Sequence, residues 1–524
     1  MGLISGGAYN TPIPITSPAP APISGFHATG PWRRSLQEPR MSTILDLQPA
    51  SVWHYFHQLT QIPRPSHHEE AVQQYVLDEA VRLGLSAERD AVGNIRVRKP
   101  ASAGHEGAPG VILQGHLDMV PQKNADKVHD FTRDPITTQV HADGRLSADG
   151  TTLGADNGIG VALILAVLAD KTLVHPPLEA LFTSTEETGM VGAKGLQGGW
   201  LKGHYLINLD YEDEGELCIG CAGGVDGSYT LPYATRAVRM PGYRLVVRGL
   251  RGGHSGVDIH RLRGNAIRIL AQVLVAIGAT EIADLSGGNL RNAIPREAQA
   301  LIGLPDEAAA TAVREMLARL AAEIRQGLAQ DSQGLELVLE PAEEVTQVIE
   351  DAQRLLDVLR VLPNGVDQMS PSMPGLVETS TNLAAIRCKD GALHISCLLR
   401  SSSEPQKLDL ADRMAAVVRL AGGQSDYSAD YGGWLPKPDS PLVRIFQRTG
   451  EQVFGHRPPL KAIHAGLECG ILSTHYPHWE MISFGPTITG AHSPDEAVQI
   501  DTVGRCHQWL LMCLQTLAEG EGKA

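Results

Sequence analysis

Residues 111–120 read VILQGHLDMV, an apolar run broken by His116 and Asp118. Burying an unpartnered polar group costs on the order of 2–7 kcal/mol, and a bare charge costs more. A buried strand carrying an imidazole and a carboxylate therefore needs a compensating partner. Strand residues i and i+2 share a side, so this pattern predicts Asp118 beside His116 on the strand, accepting the ring's second N–H and fixing its tautomer.

The same texture continues outward. Ser51–Gly84 predicts two helices separated by a loop over Thr60–His67, and a strand follows near Gly93–Val97. Downstream, Asn157–Asp170 (NGIGVALILAVLAD) predicts an apolar helix, and Leu178–Thr185 and Tyr205–Leu209 predict strands. Nearly continuous apolar strands alternating with helices indicate an α/β domain with a largely parallel or mixed sheet flanked by helices.

Past Gly224 the pattern changes to strands at Tyr243–Arg248, Ala298–Gly303 and Ala392–Leu399, with helices at Arg263–Ile277, Ala308–Ala329 and Glu404–Ala421. This predicts an inserted α+β lid domain, internally doubled. Leu442–Phe454 and Val503–Leu517 then predict helices that close the first domain. The expected division is residues 41–223 and 436–524 for the metal-binding catalytic domain and 224–435 for the lid. Residues 1–40, rich in Pro, Gly and Ser and without periodicity, read as a disordered extension, with Met41 as the expected start.

Composition narrows the function. A chain of 524 residues is long enough for two cores. Its formal charge of −15 argues against nucleic-acid and anionic-membrane partners. Seven scattered cysteines suit a reducing compartment, and the expected location is cytoplasmic. Cys218-Ile-Gly-Cys221 has no second pair to complete a zinc knuckle and reads as packing near a turn.

Most of the chemistry-bearing residues cluster at predicted strand ends: His116 and Asp118, Glu186 and Glu187 in FTSTEETG, and Asp210 in INLDYED, while Asp156 in LGADNGIG precedes the apolar helix. His492 lies far away in GAHSPDE. Ligand sites of open α/β sheets lie beyond the carboxyl ends of strands, so these side chains should converge. Two imidazoles among several carboxylates call for a cation, zinc first, with manganese or cobalt as alternatives. His116, Asp156, Glu187, Asp210 and His492 are too many for one catalytic zinc and fit two metal ions sharing a carboxylate. Of the Glu186–Glu187 doublet, one ligates and the other serves as general base toward water held by the two ions.

The order HLD, GADNG, EE, NLD and GAHSPDE resembles the dizinc metallopeptidases related to aminoacylase and bacterial carboxypeptidase. GGHSGVDIHRLRGNA, GLVETSTN and the doubled insertion narrow the resemblance to the aminoacyl-histidine dipeptidases, from about Leu45 to the C-terminus. The resemblance implies that Asp156 bridges two metals, His116 and Asp210 completing one site and Glu187 and His492 the other. It also implies Glu186 as general base, Asp118 behind His116, and a cis peptide at Asp156–Asn157. His254 would stabilise the oxyanion, assisted by Asn292. Arg400 would take the substrate carboxylate, since a guanidinium fork suits it. Gly466 and Glu468 would belong to a loop contacting the peptide.

The activity so implied is hydrolysis of dipeptides with a free amino end, preferentially Xaa-His and carnosine-like compounds, by a homodimer joined through the lid. Two alternatives stand beside it: an N-acyl amino-acid amidohydrolase or tripeptidase with the same chemistry, and a metal-free binding or scaffold relative.

Overall fold

The computed structural model describes residues 43–520. The expectations for residues 1–40 and for Met41 lie outside the described residues.

One eight-stranded sheet runs in the order 86–89, 95–99, 178–183, 111–116, 205–208, 480–483, 217–221, 460–463. Its centre is parallel: Val111–His116 pairs with Leu178–Thr183 on one side and Tyr205–Asn208 on the other. The first two pairings at the 86–89 edge are antiparallel, so the sheet is mixed. Val111–His116 and Leu178–Thr183 are buried at every position, which explains why both are continuously apolar rather than alternating. Helix Ala155–Ala169 is buried almost throughout and packs on helix Ala50–Thr60. Strand Glu480–Ser483 returns from the end of the chain and pairs in parallel with Tyr205–Asn208. Helices Pro441–Phe454 and Ile500–Glu519 close this region around Phe446, Phe484 and Trp509, whose ring centroids lie 4.9–5.6 Å apart.

A separate core spans Val225–Val418. Its sheet is antiparallel throughout, in the order 336–349, 235–248, 298–303, 282–287, 377–389, 392–401, 223–232, 424–431, with 365–369 beside 377–389. The expected doubling has a definite form. Residues 235–349 run strand, helix, strand, strand, helix, strand, the split β-α-β pattern. The segments 223–232, 352–361, 377–389, 392–401, 404–420 and 424–431 repeat that order. The first copy is thus inserted after the opening strand of the second. The copies meet edge to edge through only two register pairs, Ser286↔Arg387 and Gly287↔Ile386.

A small four-stranded sheet matters more for function than its size suggests. It pairs Arg145–Ala148 with Ala497–Gln499, which in turn pairs with Ile488–Thr489. The hairpin between the last two carries His492, and the first leads into the Asp156 turn. None of the helices among the described residues is long and apolar enough to cross a membrane.

Candidate metal centre

The strand carrying His116 ends at that residue. Asp118 lies in the bend beyond, so strand alternation does not place it. The bend brings His116 Nδ1 within 3.2 Å of the Asp118 carbonyl oxygen and 3.4 Å of its carboxylate. Asp118 also accepts the N–H groups of Glu186 (2.9 Å) and Glu187 (3.1 Å) and the Ser66 hydroxyl (2.8 Å). It therefore ties the imidazole to the glutamate doublet, an arrangement alternation could not foretell. Burial alone would raise its pKa, but His116, the Glu186 amide and Ser66 bring it down to about 2.

Glu186 and Glu187 follow the strand ending at Thr183, in a turn entered through Thr185, whose φ is 52°. Glu69 holds that residue by its N–H (2.8 Å) and hydroxyl (2.6 Å). Asp156 sits at a break in the first turn of its helix, and the peptide bond that follows it, Asp156–Asn157, is cis, as the resemblance implied. Asn157 donates to the Leu209 carbonyl at 2.6 Å, fastening the turn to the strand end before Asp210. Gly115 is required here, because a Cβ would lie 2.3 Å from Asn157 Oδ1.

The predicted ligands converge. His116 Nε2 lies 3.1 Å from Asp156 Oδ1 and 3.4 Å from Asp210. His492 Nε2 lies 3.2 Å from Asp156 Oδ2 and 3.0 Å from Glu187. Each oxygen of Asp156 thus faces a different imidazole, and each imidazole has a second carboxylate. Donor atoms of His116–Asp156–Asp210, of Asp156–Glu187–His492 and of His116–Glu186–Glu187 lie within 4.8 Å of one another.

Electrostatics agree with a cation site. Burial disfavours a charged imidazole at His116, yet the surrounding Asp210, Asp118 and Asp156 hold its pKa well above the usual histidine range. Asp156 and Glu187 hydrogen bonds push His492 up to about 11. Burial pushes Glu186 well above the carboxylate range; His116 opposes this, and the carboxylates of Glu468, Asp210 and Glu187 reinforce it. Glu187 Oε1 and Asp210 Oδ1 are buried without a hydrogen-bond partner. Unpaired buried carboxylate oxygens beside imidazole nitrogens are the donor set that hard or borderline divalent ions take, so the residues fit the implied metal.

The inserted region supplies the remaining predicted residues. His254 pairs directly with Ala293, beside Asn292, and Ser255 N–H donates to the Asn292 carbonyl at 2.8 Å. His254 Nδ1 accepts the N–H groups of Gly256 (3.2 Å) and Val257 (3.3 Å), so its proton sits on Nε2, available to donate. Burial and nearby Arg400 lower its pKa. Asn292 is exposed, and Asn382 braces the carbonyls on either side of it, at Arg291 and Ala293.

Arg400 is no surface arginine: it is 6% exposed, donates to the Tyr431 hydroxyl at 3.0 Å and leaves Nε without a partner. Gly466 packs near Tyr431 and Met190, next to the glutamate turn. Glu468 is fully buried at a helix start, accepting from Thr183 and Gln114 at 2.7 Å each. Cys218 and Cys221 are free and buried on strand Leu217–Cys221. Sequence reasoning gave no role to Arg64, Ser66, Glu69 or Glu496, which hold the turns carrying the candidate ligands; single polar residues that brace a turn leave no recognisable spacing.

A mixed sheet and paired candidate donor sets at one end of it fit a hydrolase that works through divalent metal ions. The chain belongs to peptidase family M20/M25/M40, whose model matches residues 112–287 and 308–516. A peptidase dimerisation domain matches residues 246–332, inside the first copy of the doubled region. The chain is 44% identical over 480 residues to the cytosol non-specific dipeptidase of Escherichia coli, covering 90% of this chain and 98% of that one. The crystal structure of aminoacylhistidine dipeptidase from Vibrio alginolyticus superposes with a TM-score of 0.86 at 42% identity, covering 90% and 98%. An acetylornithine deacetylase of Salmonella arizonae matches 96 residues at 43% identity, 18% of this chain and 23% of that one.

Proposed function

We propose that this protein is a cytosolic metallo-dipeptidase that cleaves dipeptides with a free amino end, Xaa-His and carnosine-like substrates among them, using two zinc ions. One observation carries the chemistry: the two oxygens of Asp156 face two different imidazoles, each backed by its own carboxylate. His116, Asp156 and Asp210 would hold one ion, and Asp156, Glu187 and His492 the other. Near-full-length similarity to two dipeptidases supports the substrate class. The short deacetylase match gives the N-acyl reading little weight.

Bound ions would lower the pKa of water and polarise the scissile carbonyl. Glu186 takes the proton of the attacking water and delivers it to the departing amine. Asp118 keeps that base in place by accepting its N–H, and fixes His116 from behind. His254 Nε2–H, with Asn292, donates to the developing oxyanion. Arg400 receives the substrate's terminal carboxylate, and Gly466 leaves room for the peptide beside Tyr431. Glu468 supports the floor between Gln114 and Thr183.

Residues 41–223 and 436–524 form the catalytic domain in this proposal, and 224–435 the lid. The proposal includes a homodimer through the lid. Strand Ile282–Gly287 is already covered by Val377–Lys389 of the same chain, so a partner would have to use another lid surface, with light scattering giving the mass.

The test is a substrate panel on metal-loaded enzyme: Xaa-His, carnosine-like and other dipeptides, tripeptides and N-acetyl amino acids. Chief turnover of dipeptides is expected, and the breadth across Xaa-Xaa measures how strict the histidine preference is. Chief activity on acylated compounds would overturn the reading.

A further inference from the structure

Two buried charges stand behind the ligands with no role in the chemistry above. Glu496 is 2% exposed. Its carboxylate accepts four consecutive main-chain N–H groups: Leu153 (2.7 Å), Gly154 (2.9 Å), Ala155 (2.7 Å) and Asp156 (3.1 Å). Arg64, also 2% exposed, donates Nη1 to the carbonyls of Leu117 (2.9 Å) and Asp118 (3.0 Å) and Nη2 to that of Gly154 (2.5 Å). All of these bonds end on the main chain of a segment adjoining a metal ligand.

We infer that Arg64 and Glu496 form one positioning brace, which sets where the Asp156 turn stands relative to His116 and His492 and so governs metal affinity. The inference rests on the two-ion reading above. A helix start leaves N–H groups without intrahelical partners, and a local Ser, Asp or Asn ordinarily satisfies one or two of them. Here the cap is Gly154, in a left-handed conformation, with no side chain to offer. The acceptor comes instead from a residue 340 positions from Asp156.

That remote origin has a mechanical consequence. Glu496 lies four residues from His492, on the same hairpin. Displacing the hairpin moves a ligand and the clamp on the bridging carboxylate together. Arg64 performs the matching task for the His116 side, joining the Leu117–Asp118 bend to Gly154. Each charge is costly to bury alone; the Glu496 carboxylate offsets that cost for Arg64, and the carbonyls occupy its fork.

Zinc alone is the probe. Metal-stripped wild type, Glu496→Gln, Arg64→Lys and the double variant are titrated against a chelator of known affinity, with melting of each metal-free protein measured alongside. Removing partners of this kind typically costs about 10–100-fold in metal affinity or activity. Glu496→Gln should weaken at least one of the two zinc equivalents by about that factor, and excess zinc should restore part of its kcat, which a merely structural defect would not allow. Arg64→Lys keeps the charge but gives up the fork; it should show the same direction, and it carries the test if Glu496→Gln does not fold. Because the two act as a unit, the double variant should be no weaker than the worse single.

A folded Glu496→Gln or Arg64→Lys that takes two equivalents as tightly as wild type overturns the brace alone. So does a double variant whose losses multiply. A wild type that takes up no zinc overturns the two-ion reading and the brace with it.

Discussion

The two sides of the candidate metal centre are built differently although both meet at Asp156. His116 is 1% exposed, on the last residue of a central strand whose neighbours pair with it on both sides. His492 is 55% exposed, on a hairpin, with a φ of 64°. A non-glycine residue in the left-handed region persists only where its surroundings over-determine it, and here the small sheet and Glu496 do so. One candidate imidazole is part of the core; the other is clipped onto it. A buried half and an exposed half would suit the proposed site, which holds its ions while admitting and releasing substrate.

The largest expected effect tests whether the ligand sets and the base are separable. Glu186→Ala should keep its metal content and lose about 10²–10⁴ in kcat, the usual share of a positioned acid–base group. Metal analysis with steady-state kinetics checks both halves, and near-wild-type kcat would remove Glu186 from the chemistry.

The next prediction tries to break the asymmetry. His492→Ala should fold normally and retain one zinc equivalent. His116→Ala should lose both and melt earlier, because it strands Asp156 and Asp210 in a buried space, where removing one partner costs about 3–5 kcal/mol. Equal metal loss and equal melting in the two variants would show that core and hairpin ligands are equivalent.

How far this arrangement could be read from the residues depends on what each one leaves in the sequence. The buried strands are legible because burial on both faces writes an unbroken apolar run, and the candidate ligands His116, Glu187 and Asp210 because His, Asp and Glu at the ends of such runs have no cheap alternative. Asp118 was legible as a neighbour of His116 but not by its route, since a bend rather than alternation brings it there. Arg64, Glu69 and Glu496 were not legible as site residues: a charged side chain bonding main-chain groups looks in sequence like any solvated charge. The doubled lid was visible as a recurring order, whereas the insertion of one copy inside the other shows only in strand pairing.

The comparison extends to the lid, which should govern binding and leave both ion sites intact. Arg400→Lys keeps a charge but not the fork. A charged hydrogen bond is worth about 1.5–3 kcal/mol, so kcat/KM should fall by about 10–100-fold, mostly through KM, with metal content unchanged. A kcat effect with constant KM would instead place Arg400 in the reacting geometry.

The smallest expected effect concerns the seam between lid and catalytic region. His464 Nε2 lies 2.7 Å from the Ser380 hydroxyl, and Ser380 stands opposite Arg400 in the sheet. Burial, reinforced by Arg400, pushes the His464 pKa from 6.5 down to about 3. Between those values the unfolded chain binds a proton that the folded protein refuses, so stability rises with pH across this window and is lost as pH falls through 6.5. His464→Gln, which can still bond Ser380, should flatten that part of the stability–pH curve, measured by denaturant unfolding of metal-free protein from pH 4 to 8. An unchanged slope would mean that His464 takes up its proton in the fold as readily as in the unfolded chain, and that the seam tolerates two cations side by side.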